Sequence, residues 1–314
     1  MSNLIFSMNA TLPIFLVMML GYFFRRTGII DESFAGKMNT FVFKIALPVS
    51  LFSQLDSVDF AEVWDAEYVL FCFLATLISI GIAVLVSFIF RDRDVRGEFV
   101  QGSYRSSASL LGMAYIENIY GTASMGSLMM LGSVPLYNVM AVLVLSLMNG
   151  SGEGLDRKRL KSALRGILTN PIIWGILLGF AWAITGWKMP DMLQTTIIYI
   201  GRLASPMGLL AMGASLQFRE IRGRLAPILT GSFLKLIGFT ALFLPAAVWL
   251  GFRKEKLIAA LIMLGSASTV AGYVMAKNMN HEGTVSSGIV MITTLGSVFT
   301  LTFWIWLLRS MGMV

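Results

Sequence analysis

The sequence predicts an all-α membrane protein: ten transmembrane helices in two inverted five-helix repeats, with helices 4 and 9 broken and crossed. Three observations predict it: the composition, the spacing of apolar windows, and a likeness between the halves. Of 314 residues, 56% are hydrophobic and only 13% are charged, whereas a soluble domain carries about 25% charged residues. Such a chain cannot cover a water-facing surface, and its mean hydropathy is +0.77. The apolar residues gather into windows near the roughly 20 residues that a helix needs to cross a bilayer.

Breaks at charged or Gly/Pro-marked positions give spans near 4–24, 38–55, 67–90, 99–117, 121–148, 170–187, 194–217, 226–250, 257–276 and 284–308. The first has no basic residue before it and Arg25-Arg26 after it. That charge order is opposite to a signal peptide's, so a retained helix is expected. Spans 4 and 9 are the least apolar, being rich in Ser and Gly. Basic residues follow spans 1, 3, 5 and 7: Arg25, Arg26 and Lys37; Arg91, Arg93 and Arg96; Arg157 to Arg165; Arg219, Arg222 and Arg224. The loop between spans 2 and 3 holds only acids, among them Asp56, Asp59, Glu62 and Asp65. Basic loops stay cytoplasmic, which puts both termini outside a cell membrane. One loop disagrees, since Arg253, Lys254 and Lys256 fall on the outer side.

The halves repeat at an offset of 158 residues. Pro13-Ile14, Leu20-Gly21 and Thr27-Gly28 recur as Pro171-Ile172, Leu178-Gly179 and Thr185-Gly186. Ala46, Pro48 and Leu51 recur as Ala204, Pro206 and Leu209, and Ser107-Ala108-Ser109 returns as Ser266-Ala267-Ser268 with a small insertion. Ordered matches along a whole half mark a duplication. The expected division is a first repeat over 1–150, a cytoplasmic linker over 151–169 and a second repeat over 170–314. Five spans is an odd number, so the second copy enters the membrane from the opposite face. Inverted repeats characterise secondary transporters, whose site lies near the midplane where interrupted helices meet.

Spans 4 and 9 occupy matching positions and suit that role. Span 4 offers Arg105, Ser106, Ser107, Ser109, Gly112, Met113 and Tyr115; span 9 offers Ser266, Ser268, Thr269, Gly272 and Tyr273. A helix that unwinds in lipid exposes amides and carbonyls costing several kcal/mol each when unpaired. Hydroxyls can pair with them, Gly allows the dihedrals, and half-helix N-termini attract anions. The competing reading is that small residues only let helices pack closely. Arg105 is the leading partner for a carboxylate, which a guanidinium holds bidentately; the alternative is a snorkelling anchor. Lys44 and Arg202 read as helix anchors rather than cavity walls. Glu117 and Asn118 are candidates for binding a cation or proton, against the plainer reading of a solvated loop carboxylate. Pro48 and Pro206 should bend their spans.

One cysteine, Cys72, and one histidine, His281, exclude a disulfide and a multi-histidine metal site. With no nucleophile–base pair or phosphate loop, the chain reads as no enzyme, and neither cofactor nor metal is expected. Its net charge of +7 fits basic inner loops, not a nucleic-acid partner.

A further set of motifs runs in order along the chain: Pro13-Ile14-Phe15 with Gly21-Tyr22; Asn39-Thr40-Phe41-Val42-Phe43 leading to Ala46-Leu47-Pro48; Gln101 and Arg105; Asn170-Pro171; and Pro206-Met207-Gly208-Leu209-Leu210. In these the chain resembles the auxin efflux carrier (AEC) family, in particular its bacterial malate-permease-like members. The resemblance implies a scaffold of spans 1, 2, 6 and 7, a moving unit of spans 3–5 and 8–10, and a substrate site where spans 4 and 9 cross. The chain departs from the family in having Ser107 where Asn is usual, and Ala114 and Thr269 near the usual prolines. The expected function is secondary-active or facilitative transport of a small organic anion, a carboxylate, by elevator-like alternating access. A cation-coupled exchanger (Na+ or H+) and a non-transporting membrane sensor stay open as alternatives. Expected partners are the anion, the lipid bilayer, a coupling Na+ or H+, and a second copy in a homodimer.

Overall fold

A computed structural model describes residues 2–56, 64–108, 113–120, 124–148, 165–166, 168–187 and 189–314. Helices form at all ten expected positions. Span 1 is Ser2–Arg26. Span 2 comprises Glu32–Phe41, a π-turn Val42–Ala46 and Leu47–Asp56. Span 3 is Ala66–Ser87, span 5 is Ser124–Leu147 and span 6 is Pro171–Thr185. Span 7 splits into Asp191–Arg202 and Ala204–Ala214. Span 8 runs Leu225–Phe233, a π-turn Leu234–Gly238, then Phe239–Trp249. Span 10 is Thr284–Ser310. Spans 4 and 9 are each two half-helices: Asp94–Tyr104 with Met113–Tyr120, and Lys254–Gly265 with Val270–Asn278.

Several ends follow from capping residues. Asp31 accepts from Phe34 N and starts span 2 earlier than hydropathy alone predicts. Asn170 accepts from Ile172 N, and Pro171 gives up an amide that would have had no partner in the first turn. The two prolines behave differently from one another. Just before Pro48 the chain widens into a π-turn, with Leu47 N bonded to Val42 O. In span 7 the break comes earlier, at Leu203, whose N bonds back to Ile200 O at 3.2 Å. Pro206 then lies in the first turn of the next helix, where its missing N–H costs nothing.

The outer surface suits hydrocarbon. Span 3 exposes Leu70, Phe73, Leu74 and Leu77, the i, i+3, i+4, i+7 stripe of one helix face, and buries Cys72, Ala75, Ser79 and Ile80 behind it. Among the described residues, six helical stretches are long and apolar enough to cross a membrane, and Pro171–Thr185 is a shorter apolar helix.

Cross-links between loops sort them into two faces. On one, Arg224 before span 8 pairs with Asp92 before span 4 and lies 4.0 Å from Glu282 before span 10. On the other, Lys256 pairs with Asp65, Glu255 accepts from Met125 N at 2.9 Å, and Lys254 N donates to Met313 O at 3.1 Å. Every odd-to-even loop in these contacts lies on the first face and every even-to-odd loop on the second, as inversion by an odd repeat requires. In the basic loop that disagrees by charge, Lys256 pairs with Asp65 of the acidic loop between spans 2 and 3, and Arg253 donates to Val248 O and Phe252 O. The hydrogen bond from Lys256 holds the Asp65 carboxyl below its ordinary value. This tie therefore adds stability above the usual carboxylate pKa and loses it only as pH falls through the lowered value.

Candidate functional site

Both breaks are unwound, and they touch. Arg105 leaves its half-helix with φ −68° and ψ 138°, and Ser266 leaves its own with φ −76° and ψ 166°. Ser107 N donates to Ala267 O across the crossing at 2.9 Å, so the two breaks satisfy each other's backbone. Ser268 N donates to Thr293 Oγ1 of span 10 at 2.9 Å. Thr269 caps the second half of span 9, its hydroxyl accepting from Ala271 N.

A cavity of about 330 Å³ opens beside the crossing. Its walls are Arg105 to Ala108 and Thr269 to Ala271 from the breaks, Tyr137 and Asn138 from span 5, Ser50 and Gln54 from span 2, and Arg202 and Ser205 from span 7. A smaller space of about 180 Å³ lies against Ser107, Ser268 and Thr269, bounded by Pro13 and Ile14 of span 1 and Thr294 of span 10. A cleft of about 1110 Å³ occupies the Arg224 face, lined by Arg25, Arg26, Arg219, Lys277 and Tyr273 among others.

Arg105 is buried. One terminal nitrogen donates to Asn138 Oδ1 at 3.0 Å and the other to Met275 Sδ at 3.0 Å, while Nε has no acceptor among the described residues. Among the described residues no carboxylate pairs with it. A buried guanidinium that borders a cavity without a counter-ion is suited to an anion. The half-helix Val270–Asn278 adds to this, because its N-terminal residues form part of the same wall and its dipole is positive there.

The remaining candidates divide. Ser106 Oγ lies 3.2 Å from Tyr137 OH. Ser266 is buried behind the crossing, its hydroxyl unpaired among the described residues. Gly272 backs Arg105: its carbonyl accepts from Gln101 Nε2 at 2.8 Å, and a Cβ there would lie 3.8 Å from Arg105 Cδ. Tyr273 belongs to the large cleft, not to the Arg105 cavity. Tyr115 is in the core, and Glu117 is exposed on its half-helix, away from the cavity walls. Ser109 and Gly112 lie outside the described residues, as do the side chains of Met113 and Asn118.

Sequence reasoning missed three residues here. Asn138 orients Arg105, and its signal was an amide inside an apolar span, three residues after Pro135. Arg202 reads as an anchor by hydropathy, yet it shares the cavity with Arg105. Glu98 is buried one helical turn before Gln101, and its carboxylate accepts from Gly283 N at 2.7 Å and Ser286 N at 2.9 Å. It thus closes the amide end of span 10. Glu98→Gln turns one accepting oxygen into a donor facing an amide, so the melting temperature in detergent should fall by the equivalent of about 1–3 kcal/mol. An unchanged melt would mean that this contact is not made.

Residues 6–305 match the family described as "Membrane transport protein". The chain is 25% identical to "Uncharacterized transporter YfdV" of Escherichia coli K12, covering 98% of this chain and 99% of that protein. It is 24% identical to "Putative malonate transporter" of Rhizobium meliloti, covering 95% of each. Among solved structures, the sodium proton antiporter MjNhaP1 of Methanocaldococcus jannaschii shares the fold at TM-score 0.60 and 15% identity, over 95% of this chain and 97% of that one. Ten spans, an inverted duplication and a crossing of broken helices thus accompany a match along almost the whole sequence: the chain belongs to the membrane transport protein family of the auxin efflux carriers.

Proposed function

We propose that this multi-pass membrane protein carries a small organic anion, a carboxylate, by secondary-active or facilitative alternating access. The observation that supports the reading is Arg105, a buried cation at the edge of a cavity of about 330 Å³ with no carboxylate paired to it among the described residues. The malonate in the name of the Rhizobium relative agrees with that chemistry. Arg202, in the same lining, supplies a second guanidinium, and Ser50, Gln54, Ser106 and Thr269 supply hydrogen-bonding groups for oxygen atoms. A lining drawn from spans 2 and 7 as well as from spans 4, 5 and 9 suits an elevator, in which one unit slides past the other and takes the anion with it. The repeats are assigned to 1–150 and 170–314, joined by a linker over 151–169. The Arg224 face is assigned to the cytoplasm of a cell membrane, with both termini outside. An exchanger built on Glu117 finds less support, because that carboxylate is exposed and apart from the cavity.

A thermal-shift screen of mono- and dicarboxylates in detergent tests the reading, since a ligand bound only by the folded state raises its stability with occupancy. Stabilisation by at least one small carboxylate, competing with no neutral analogue, is the expected result. A flat response across the whole series would sink the proposal.

A further inference from the structure

Span 8 contributes a charge that the anion reading leaves unused. Lys235 is fully buried in the π-turn Leu234–Gly238. Its ammonium donates to Met263 O and Leu264 O at 2.9 Å each and lies 3.5 Å from Tyr104 O. These three carbonyls belong to the last turns of the two half-helices that end at the crossing, Lys254–Gly265 and Asp94–Tyr104. The final carbonyls of a helix have no partner within it and carry the negative end of its dipole. No carboxylate pairs with Lys235 among the described residues. Its charge is therefore met by backbone oxygens alone, as an alkali ion is met where unwound carbonyls and half-helix C-termini converge in carriers. The approach is close: a Cβ at Gly265 would lie 2.6 Å from Thr240 Oγ1 and 3.7 Å from Leu236 O, so span 8 presses directly on the end of the half-helix.

We infer that Lys235 is a tethered cation, filling the position between two half-helix carboxyl ends that a sodium ion could otherwise occupy, so that the crossing needs no bound alkali ion. This rests on the carrier reading only for its consequence in transport: uptake should be independent of sodium. The occupancy itself can be read from stability without any transported substrate.

The test compares melting of the purified full-length protein in sodium chloride, methylammonium chloride and choline chloride, at equal pH and ionic strength. The wild type should melt alike in all three. Lys235→Ala should melt lower in choline and recover by about 3 °C or more in sodium or methylammonium, the shift expected for a cation at roughly tenfold its dissociation constant. If the alanine variant does not fold, Lys235→Ser gives the same comparison with the space still open, and Lys235→Arg should stay insensitive to the cation. Sodium-specific stabilisation of the wild type would overturn the inference. So would an alanine or serine variant that melts equally low in every salt, which is the behaviour of a merely structural lysine. Failure of the carboxylate screen with a positive cation rescue would remove the anion reading and leave the tethered cation standing.

Discussion

Replacing Arg105 by alanine is expected to abolish carboxylate uptake into proteoliposomes while leaving a folded, membrane-inserted protein. The side chain reaches the cavity from an unwound stretch, so its loss breaks no helix; what goes is the charge and the planar fork that can meet a carboxylate with two hydrogen bonds. Truncating one member of a buried, hydrogen-bonded charge pair typically costs about 2–5 kcal/mol, which at about 1.4 kcal/mol per tenfold is a loss of roughly 30-fold or more in affinity. Arg105→Lys keeps the charge but not the fork, and should retain binding at reduced affinity. Asn138→Ala provides a finer probe. Asn138 Oδ1 holds one arm of the guanidinium at 3.0 Å, so its removal should raise the apparent KM with a smaller effect on maximal rate. Arg202, exposed in the same lining, should matter less than Arg105. Radiolabelled uptake paired with a melting curve for each variant separates these outcomes from misfolding. Undiminished uptake by a folded Arg105→Ala protein would take this residue out of the site.

How much of this was legible in the sequence depends on which partner a residue uses. The duplication was legible because Pro13 and Pro171, or Gly21 and Gly179, keep one offset, and the broken helices because Ser- and Gly-rich stretches fell at matching places. Arg105 was legible as a charge within a span. Its setting was not, because Asn138 lies 33 residues away on another helix. Lys235 was visible as a lysine in an apolar helix, but its partners are backbone carbonyls, and every residue has one of those. The basic loop that contradicted the topology involved the same difficulty: Lys256 reads as an inner-loop signal until Asp65 is seen beside it. Pro206 suggested a bend where it stands, whereas the chain breaks three residues earlier and uses the proline to begin the next helix.

The largest loss of stability is expected at the crossing of spans 1 and 7, from the single methyl group of Gly213→Ala. A Cβ there would lie 1.9 Å from Met18 O and 2.9 Å from Met18 C. Both are backbone atoms of a facing helix, so no rotamer change relieves the clash and the helices must separate. Gly21 meets the partner helix in the same way, 2.3 Å from Leu210 O. The second repeat has its own version, with Gly175 placing a Cβ 2.4 Å from Pro48 O where span 6 crosses span 2. Since span 6 repeats span 1 and span 7 repeats span 2, the two crossings join equivalent pairs of helices, with the glycines at different positions along them. In lipid no hydrophobic force pushes helices together, so packing at such small residues supplies most of the association. Forcing a close backbone contact apart should cost about 3–5 kcal/mol, above the usual overpacking penalty of about 1–3 kcal/mol because neither side can yield. Gly36→Ala and Gly81→Ala are the controls, since nothing lies within 4 Å of a Cβ at either helical position; both should melt at or slightly above the wild type. The double variant Gly21→Ala/Gly213→Ala should cost less than the two single changes added together, because helices already separated by one methyl make room for the other. Melting curves and size-exclusion profiles of the four proteins read this directly. Strict additivity would mean that the two glycines do not share one contact.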